Sequence, residues 1–328
     1  MKILIRLPNW LGDVVMSTAF TAAVRERYPN ALIDVIIKKE LGSIASLIPG
    51  INHIHLFSKK EYNGLTGAYA FGKTLRRHHY DVFFSLPSSI SSATMGWATQ
   101  SRKRVGFGSE GGFFLLTNVC RRPKNVHRAT EYIALLEQFS GQTVNDSAVK
   151  LQAAETEKVN RRIIINFNSE ATSRRMPVDK AVELLDAIAA NFKDATLTLI
   201  GGPKDITYID EVITASVNTA GIENYCGKTD LKGLASLLAS GLVLLSTDSG
   251  PAHLANSIGL PVVALFGAGN ELNTSPFNKH NLTVLRAGEL SCEPCVRNTC
   301  KLYGVPRCMQ LLSNNQIIQS LAKYINNA

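Results

Sequence analysis

Short apolar runs alternate with amphipathic stretches along the first half of the chain. Runs rich in Ile, Leu, Val and Phe predict strands at residues 3–7, 32–37, 54–57, 82–86 and 104–107. Apolar residues at helical spacing predict helices at residues 14–28, 67–78 and 129–139. Because these strands are apolar on both faces and are separated by helices, we expect a mostly parallel sheet covered on both sides.

The same alternation restarts after the polar segment at residues 151–162. It predicts strands at residues 163–167, 196–200, 224–226, 242–246 and 262–266. It predicts helices at residues 178–192, 206–220, 231–240 and 252–258. We therefore expect an α/β protein of two Rossmann-like, doubly wound parallel-sheet domains, residues 1–155 and 156–328, facing a cleft at the carboxyl ends of their sheets. A last amphipathic helix at residues 315–325 could pack back on the first domain.

The composition is that of a globular protein. The 328 residues are 45% hydrophobic and 19% charged, and the chain is long enough for two cores. The N-terminal stretch MKILIRLPNW has no small-residue cleavage site, so it predicts a strand and not a signal peptide. No apolar run approaches the roughly 18–20 residues that a membrane helix needs. We expect a cytoplasmic protein.

The positive charge is concentrated in the first half. Residues 1–156 contain 19 Lys and Arg against 11 Asp and Glu, a net of +8, whereas residues 157–328 contain 16 against 15, a net of +1. This asymmetry favours an anionic partner for the first half, such as a phosphorylated substrate, an acidic membrane surface or nucleic acid; solubility alone is the alternative. The basic stretches lack interleaved aromatics and any recognition motif, so we expect no nucleic-acid partner.

The segment PNWLGDVVMSTAF, residues 8–20, places an acid where the first strand gives way to a helix. Asp13 suits the first turn of that helix electrostatically. It also stands at the carboxyl end of the first strand, where open α/β sheets bind their ligands. The residues alone leave both interpretations open.

The segment STDSGPAHLANSIGLPVVALFG, residues 246–267, predicts a strand, a tight turn and a helix. Ser249 and the backbone N–H groups around Gly250 could bind a phosphate at the helix N-terminus, where the helix dipole favours an anion. The alternative is a helix that is simply well capped. His253, one turn inside, is either a phosphate or sugar contact or a packed core residue.

A second loop, NFNSEATSRRMP at residues 166–177, carries Arg174 and Arg175 just before a helix. A basic pair is unfavourable at a helix start, which favours an anionic ligand there over a solvated charge pair. No GxGxxG fingerprint or P-loop follows any predicted strand, so dinucleotide redox chemistry and ATP hydrolysis lose support.

Six cysteines are present, of which Cys120 and Cys226 are isolated. The other four lie within seventeen residues: Cys292, Cys295, Cys300 and Cys308. Four thiolates could hold a structural zinc ion, although only one C-x2-C pair is present. Disulfides or free thiols are the alternatives, and a cytosolic setting disfavours disulfides.

Five segments together resemble one enzyme family: PNWLGDVVMSTA, GFGSEGGFFLLTNV, SRRMP, GKTDLKGLASLLA and TDSGPAHLANSIGLPVVALFG. In order and spacing they are similar to the ADP-heptose:lipopolysaccharide heptosyltransferases, family nine of the glycosyltransferases, with GT-B architecture. The first two segments look most like the type II members, which add the second heptose of the inner core.

The resemblance implies an inverting transfer of L-glycero-D-manno-heptose from ADP-heptose that requires no cofactor for catalysis. In the family, the acid matched by Asp13 is the candidate general base, with Asn9 and Gly12 beside it in the same loop. The residues that match donor-binding positions are Ser169, Arg174, Thr229, Asp248, Ser249 and Gly250. Relatives usually have Lys at the position of Arg174 and Trp at that of Met176, so donor identity is less secure than a full match would make it.

The resemblance also offers a cause for the charge asymmetry. The N-terminal domain would receive an anionic Kdo–lipid A core and the C-terminal domain the nucleotide sugar, with peripheral contact to the cytoplasmic face of the inner membrane. The positive charge would come from Lys59, Lys60, Arg76, Arg77, Arg102, Lys103, Arg104, Arg121, Arg122 and Lys124. Alternatives are a family member using another sugar or acceptor, and a non-catalytic nucleotide-sugar-binding module.

Overall fold

A computed structural model describes residues 1–108, 111–145, 148–153, 156–159, 161–219 and 221–326. The chain divides into two compact units, Met1–Gln152 and Ala153–Ala328. The predicted linker position, Glu155, lies outside the described residues, as do Ser109 and Glu110 of the glycine-rich block.

Unit 1 is a six-stranded parallel sheet with helices. Its strands are β1 (Lys2–Arg6), β2 (Leu32–Lys38), β3 (His53–Phe57), β4 (Val82–Ser85), β5 (Lys103–Phe107) and β6 (Asn118–Cys120). Its α-helices are α1 (Leu11–Met16), α2 (Thr18–Arg27), α3 (Gly42–Ala45), α4 (Gly64–Leu75), α5 (Ile90–Ala98) and α6 (Arg128–Ser140). The strand order is β3-β2-β1-β4-β5-β6. Successive strands are therefore added first on one side of β1 and then, from β4 onward, on its other side.

The predicted helix at residues 14–28 is two helices. The Ser17 hydroxyl donates to the Val14 carbonyl at 2.7 Å, and α1 ends there before α2 begins. Side-chain hydrogen bonds of this kind compete with the helical ladder. The sequence prediction missed α5, whose serines blur its periodicity, and β6, which has only three residues.

Unit 2 repeats the architecture. Its strands are β7 (Arg162–Asn166), β8 (Thr196–Leu199), β9 (Ile222–Asn224), β10 (Val243–Thr247), β11 (Val262–Phe266) and β12 (Leu282–Arg286). Its α-helices are α7 (Val178–Asn191), α8 (Ile206–Ala215), α9 (Leu231–Ala239), α10 (Gly250–Ser257), α11 (Glu271–Thr274), α12 (Arg307–Gln310) and α13 (Asn314–Ile325). The parallel sheet has the order β12-β11-β10-β7-β8-β9. The predicted α/β class with two doubly wound parallel sheets is confirmed.

Several predicted bounds in unit 2 were wrong. Helix α8 ends at Ala215, because the chain turns away and the Val217 and Asn218 amides donate to the Asp186 carboxylate at 3.0 Å. Strand β9 begins two residues earlier than predicted, and β12 was not predicted at all.

The last helix belongs to the core of unit 2. The apolar residues of α13, Ile317, Leu321 and Ile325, are buried in that core. The helix packs against α7 and against strands β10, β11 and β12. The amphipathic pattern established that α13 needs a partner surface, but several surfaces satisfy such a pattern.

The sheet topology places two loops of unit 2 side by side. Strands β7 and β10 are neighbours, and Asn166 at the end of β7 is in register with Ser246 of β10. The loops that follow them therefore begin at the same sheet edge. Within the described residues, none of the helices is both long and apolar enough to span a membrane.

Candidate active site

In unit 1, Asp13 lies in the first turn of α1, directly after the central strand β1. Its side chain is 27% exposed, so the carboxylate is open to solvent. Arg128, the first residue of α6, approaches Asp13 with its Nε 3.7 Å from Oδ1. Asp13 is thus a half-buried acid at the carboxyl end of the sheet, with the Arg128 guanidinium beside it.

The same guanidinium is held more closely by a second carboxylate. Arg128 Nη1 donates to Glu131 Oε2 at 2.7 Å, and Glu131 is only 6% exposed. Arg122 Nε lies 3.2 Å from the other oxygen of Glu131, and its Nη2 donates to Ser88 Oγ at 2.9 Å. Burial, followed by the charge of Asp13, raises the pKa of Tyr132 well above its ordinary value.

The loop before Asp13 is fixed by a buried arginine. Arg6, at the end of β1, donates from Nη2 to Asn9 Oδ1 at 2.6 Å and from Nη1 to the Leu7 carbonyl at 2.5 Å. Burial lowers the pKa of Arg6 to about 10. Asn9 therefore anchors the loop, and Gly12 lies in the first turn of α1 beside Asp13.

In unit 2, Arg174 lies beside Asp248 at the carboxyl ends of the central strands β7 and β10. Arg174 Nη1 lies 3.1 Å from Asp248 Oδ2, and Asp248 is 4% exposed. Burial raises the pKa of the Asp248 carboxyl to about 6, against the opposing effect of Arg174 and Arg286. Asp248 Oδ2 is fully buried, and its partner among the described residues is the Arg174 guanidinium, in an ion pair without hydrogen-bond geometry.

The Ser249 hydroxyl does not cap α10. It accepts a hydrogen bond from Asn166 Nδ2 at 2.8 Å and lies 3.1 Å from the Thr247 carbonyl, to which it donates. The interpretation of this turn as a helix capped by Ser249 is therefore wrong. The serine instead ties its turn to the end of β7, and the N-terminus of α10 keeps the positive end of the helix dipole.

The other residues predicted to bind the donor are not all close to the Arg174–Asp248 pair. Ser169 is buried, and its hydroxyl donates to the Asp248 carbonyl at 3.4 Å. His253 is buried within α10. Thr229 lies in the loop between β9 and α9, just before the Asp230 side chain that caps α9. The two loops after β7 and β10 are thus bonded to each other, and Thr229 belongs to a separate loop.

The structure separates the two adjacent arginines. Arg175 Nη2 donates to Asp205 Oδ1 at 2.8 Å, and its guanidinium lies 5.2 Å from the centre of the Tyr208 ring. These contacts hold Arg175 against the start of α8. Arg174 alone of the pair forms an ion pair with Asp248.

Sequence reasoning missed the residues that support the two carboxylates. In unit 2, Arg286 at the end of β12 donates to Glu271 Oε2 at 2.5 Å, Glu293 Oε2 at 3.1 Å and the Gly269 carbonyl at 2.5 Å. In unit 1, Arg128 lies beside Asp13 and donates to Glu131 at 2.7 Å. An unpredicted strand and an ordinary helix supply these groups, so no local motif marks them.

The cysteine-rich segment supports the Arg174 loop through its backbone. Ser173 donates from its amide to the Asn298 carbonyl at 3.1 Å and from its hydroxyl to the Arg297 carbonyl at 2.5 Å. All six cysteines are free, and burial raises the pKa of Cys308 to about 11. Among the described residues, no group of three or more His, Cys, Asp and Glu side chains is placed to hold a metal ion.

Comparison with known proteins relates this geometry to one family. Residues 68–305 match glycosyltransferase family 9 (heptosyltransferase). Lipopolysaccharide heptosyltransferase 2 of Escherichia coli K12 is 28% identical over 314 residues, covering 87% of this chain and 88% of that protein. Lipooligosaccharide heptosyltransferase 2 of Campylobacter jejuni serotype O:6 is 25% identical over 337 residues, covering 98% and 99%.

Solved structures agree in fold over the whole chain. The structure of E. coli ADP-heptose lps heptosyltransferase II superposes with a TM-score of 0.84 at 23% identity, covering 100% of this chain and 99% of that one. The E. coli heptosyltransferase WaaC with ADP gives a TM-score of 0.80 at 16% identity, covering 99% and 100%. At these identities the likeness establishes the fold.

Proposed function

Since the chain belongs to glycosyltransferase family 9, the heptosyltransferases, we propose that it transfers a heptose from ADP-heptose to the inner core of lipopolysaccharide. The E. coli and C. jejuni relatives compared by sequence carry the name heptosyltransferase 2, which supports the type II reaction. The observation that carries the proposal is the Arg174–Asp248 pair at the N-terminus of α10.

The donor binds at the edge formed by β7 and β10. Arg174 is only 24% exposed and presents a guanidinium that matches phosphate oxygens. The N-terminus of α10 beside it adds the positive end of a helix dipole. Asp248, buried behind Arg174 with its Oδ2 3.1 Å from Nη1, holds the guanidinium at this position. The diphosphate of a nucleotide sugar suits the guanidinium and the helix N-terminus together.

Asp13 acts as the general base. An acceptor hydroxyl attacks the anomeric carbon of the donor from the face opposite ADP, and the bond from that carbon to the phosphate oxygen breaks. ADP leaves with the electron pair, and the hydroxyl proton passes to the Asp13 carboxylate. Attack from the opposite face inverts the anomeric configuration. Asp13, half-buried and open to solvent, is available for this role.

Unit 1 receives the acceptor. Its excess of Lys and Arg suits the phosphates and carboxylates of a Kdo–lipid A core. Phe113 and Phe114, in a short turn after β5, are 54% and 66% exposed, and Val119 on the edge strand β6 is 54% exposed. Exposed aromatics together with basic residues support peripheral contact with an anionic membrane, at its cytoplasmic face.

The test is transfer from ADP-heptose to heptose-free and mono-heptosylated Kdo–lipid A, assayed in parallel. We expect product only on the mono-heptosylated acceptor, and Asp13→Asn should reduce the rate at least 100-fold while ADP affinity stays within a few-fold. Product on the heptose-free acceptor would show that the enzyme adds the first heptose and not the second. ADP-heptose binding without transfer to either acceptor would indicate a binding module.

Membrane contact is tested by sedimentation with vesicles containing anionic lipid. Replacing Phe113 and Phe114 with Ser should weaken binding several-fold, because the membrane-inserting apolar area is lost. Leu272→Ser, at a residue of unit 2 that is 79% exposed, is the matched control. Equal binding by both variants and the unchanged chain would contradict a membrane role for the Phe113–Leu115 turn.

A further inference from the structure

The guanidinium of Arg128 is shared unequally between two carboxylates. Its Nη1 donates to Glu131 Oε2 at 2.7 Å, a normal charged hydrogen bond. Its Nε stands 3.7 Å from Asp13 Oδ1, beyond hydrogen-bond distance. The closer partner is therefore the acid that the proposed reaction does not use.

Glu131 is buried between two arginines. It lies one turn along α6 from Arg128, and its side chain is 8% exposed. Arg122 pairs with its second oxygen at 3.2 Å and is in turn bonded to Ser88 at 2.9 Å. The charges therefore alternate in a fixed order: Asp13, Arg128, Glu131 and Arg122.

This order bears on how well Asp13 accepts a proton. A guanidinium bonded directly to a carboxylate stabilises its charged form and makes it a weaker base. Without a nearby cation, the negative charge of the acceptor would raise the pKa of Asp13, and the carboxylate would be protonated before the reaction. From α6, the buried Tyr132 also faces Asp13, and the charge of Asp13 raises the pKa of its phenol.

We propose that Glu131 is a positioning residue that draws Arg128 away from Asp13 and thereby sets the proton affinity of the base. The inference rests on the proposed role of Asp13. Glu131 touches neither substrate; it acts through Arg128. Removal of Glu131 and removal of Arg128 should therefore shift the titration of Asp13 in opposite directions.

The test is a 13C NMR titration of the Asp13 carboxyl carbon, identified by the loss of its signal in Asp13→Asn. Glu131→Gln should lower the titration midpoint by about one pH unit, since Arg128 then turns to Asp13. Arg128→Gln should raise the midpoint by a similar amount. Glu137→Gln, on the same helix but bonded to the Val144 amide, should leave the midpoint unchanged.

Glu131→Asp provides a second variant in case the neutral residue disturbs folding. It keeps the buried charge but withdraws its oxygens by one methylene group, so it should lower the midpoint in the same direction by less. Circular dichroism checks that each variant is folded. Midpoints that stay fixed, or that shift the same way in Glu131→Gln and Arg128→Gln, would overturn the inference.

The rate of transfer separates this inference from the proposed function. The acidic limb of the kcat/KM profile should follow the NMR midpoint, moving to lower pH in Glu131→Gln and to higher pH in Arg128→Gln. Opposite NMR shifts in a protein without heptosyl transfer would uphold the positioning role and reject the reaction. Normal heptosyl transfer with unchanged NMR midpoints would uphold the proposed reaction and reject the positioning role of Glu131.

Discussion

At the residue scale, Asp13 and Asp248 follow central strands of the two units but have different surroundings. Asp13 is 27% exposed beside a guanidinium engaged elsewhere, whereas Asp248 is 4% exposed and faces Arg174 directly. Partial exposure and a cation shared with Glu131 suit a group that exchanges a proton with a substrate. Burial and a close cation suit a group that holds a binding site in shape.

The two adjacent arginines give a matched pair of variants. Arg174→Gln should weaken ADP binding about tenfold or more, because it removes the charge-assisted contact to phosphate that we propose for Arg174. Arg175→Gln should change ADP affinity by less than about threefold, since Arg175 is bonded to Asp205. Isothermal titration calorimetry with ADP measures both. An equal loss in the two variants would contradict the separation of their roles.

Asp248 predicts a pH dependence of stability. Its pKa is about 6 in the folded chain against an ordinary 3.8, so the folded state binds the proton more tightly. This contribution is present below pH 3.8 and is lost as the pH rises through 6, by up to about 3 kcal/mol. Asp248→Asn should lack this loss in urea unfolding followed by circular dichroism.

The control for that measurement is Asp194→Asn, which changes an exposed acid of the same unit. It should keep the slope of the unchanged chain between pH 4 and 6. A slope that persists in Asp248→Asn would mean that another group causes it.

At the element scale, periodicity located most helices and strands, and local side-chain chemistry decided their ends. Ser17 divides α1 from α2, and Asp186 receives the amides that follow α8. Both effects depend on which side chain reaches which backbone group. Hydrophobic patterning does not contain that information, so element existence was more predictable than element length.

Helices α4 and α5 approach each other closely at Gly72, which predicts that Gly72→Ala lowers stability. A Cβ added at Gly72 would lie 2.3 Å from the Met95 carbonyl oxygen and 2.8 Å from Ala98 Cβ. Ala normally favours a helix over Gly by about 1 kcal/mol, but here the overlap should outweigh it. Gly72→Ala should destabilise unit 1 by about 1–2 kcal/mol.

Tryptophan fluorescence reports on this crossing, because the ring of Trp97 on α5 lies 5.4 Å from the ring of Tyr69 on α4, centre to centre, in a tilted arrangement. Urea unfolding followed by this signal measures the change. Thr66→Ala, at an exposed position on α4, is the control and should shift stability by less than about 0.5 kcal/mol. Stabilisation by Gly72→Ala would contradict the close approach of the two helices.

At the scale of the whole molecule, the two units have the same strand order and separate cores. The residues proposed for the donor all belong to unit 2, and the proposed base belongs to unit 1. Each unit should therefore carry its own part of the function.

Expressing the units separately tests this division. Residues 153–328 should bind ADP within about threefold of the full chain, because the residues proposed to bind phosphate and their supporting loops lie within unit 2. Residues 1–152 should not bind ADP, and neither piece should transfer heptose. Calorimetry and the transfer assay provide the measurements. ADP binding by residues 1–152 would contradict the assignment of the donor to unit 2.

The sequence by itself determined the α/β class, the two doubly wound halves and the family. These depend on apolar periodicity and on motifs such as TDSGPAH, which are local properties of the chain. The tertiary structure decided which arginine faces Asp248, where α13 packs, and that Arg128 is divided between Asp13 and Glu131. Those outcomes depend on contacts between distant segments, and a side chain's partner is fixed only when packing brings such segments together.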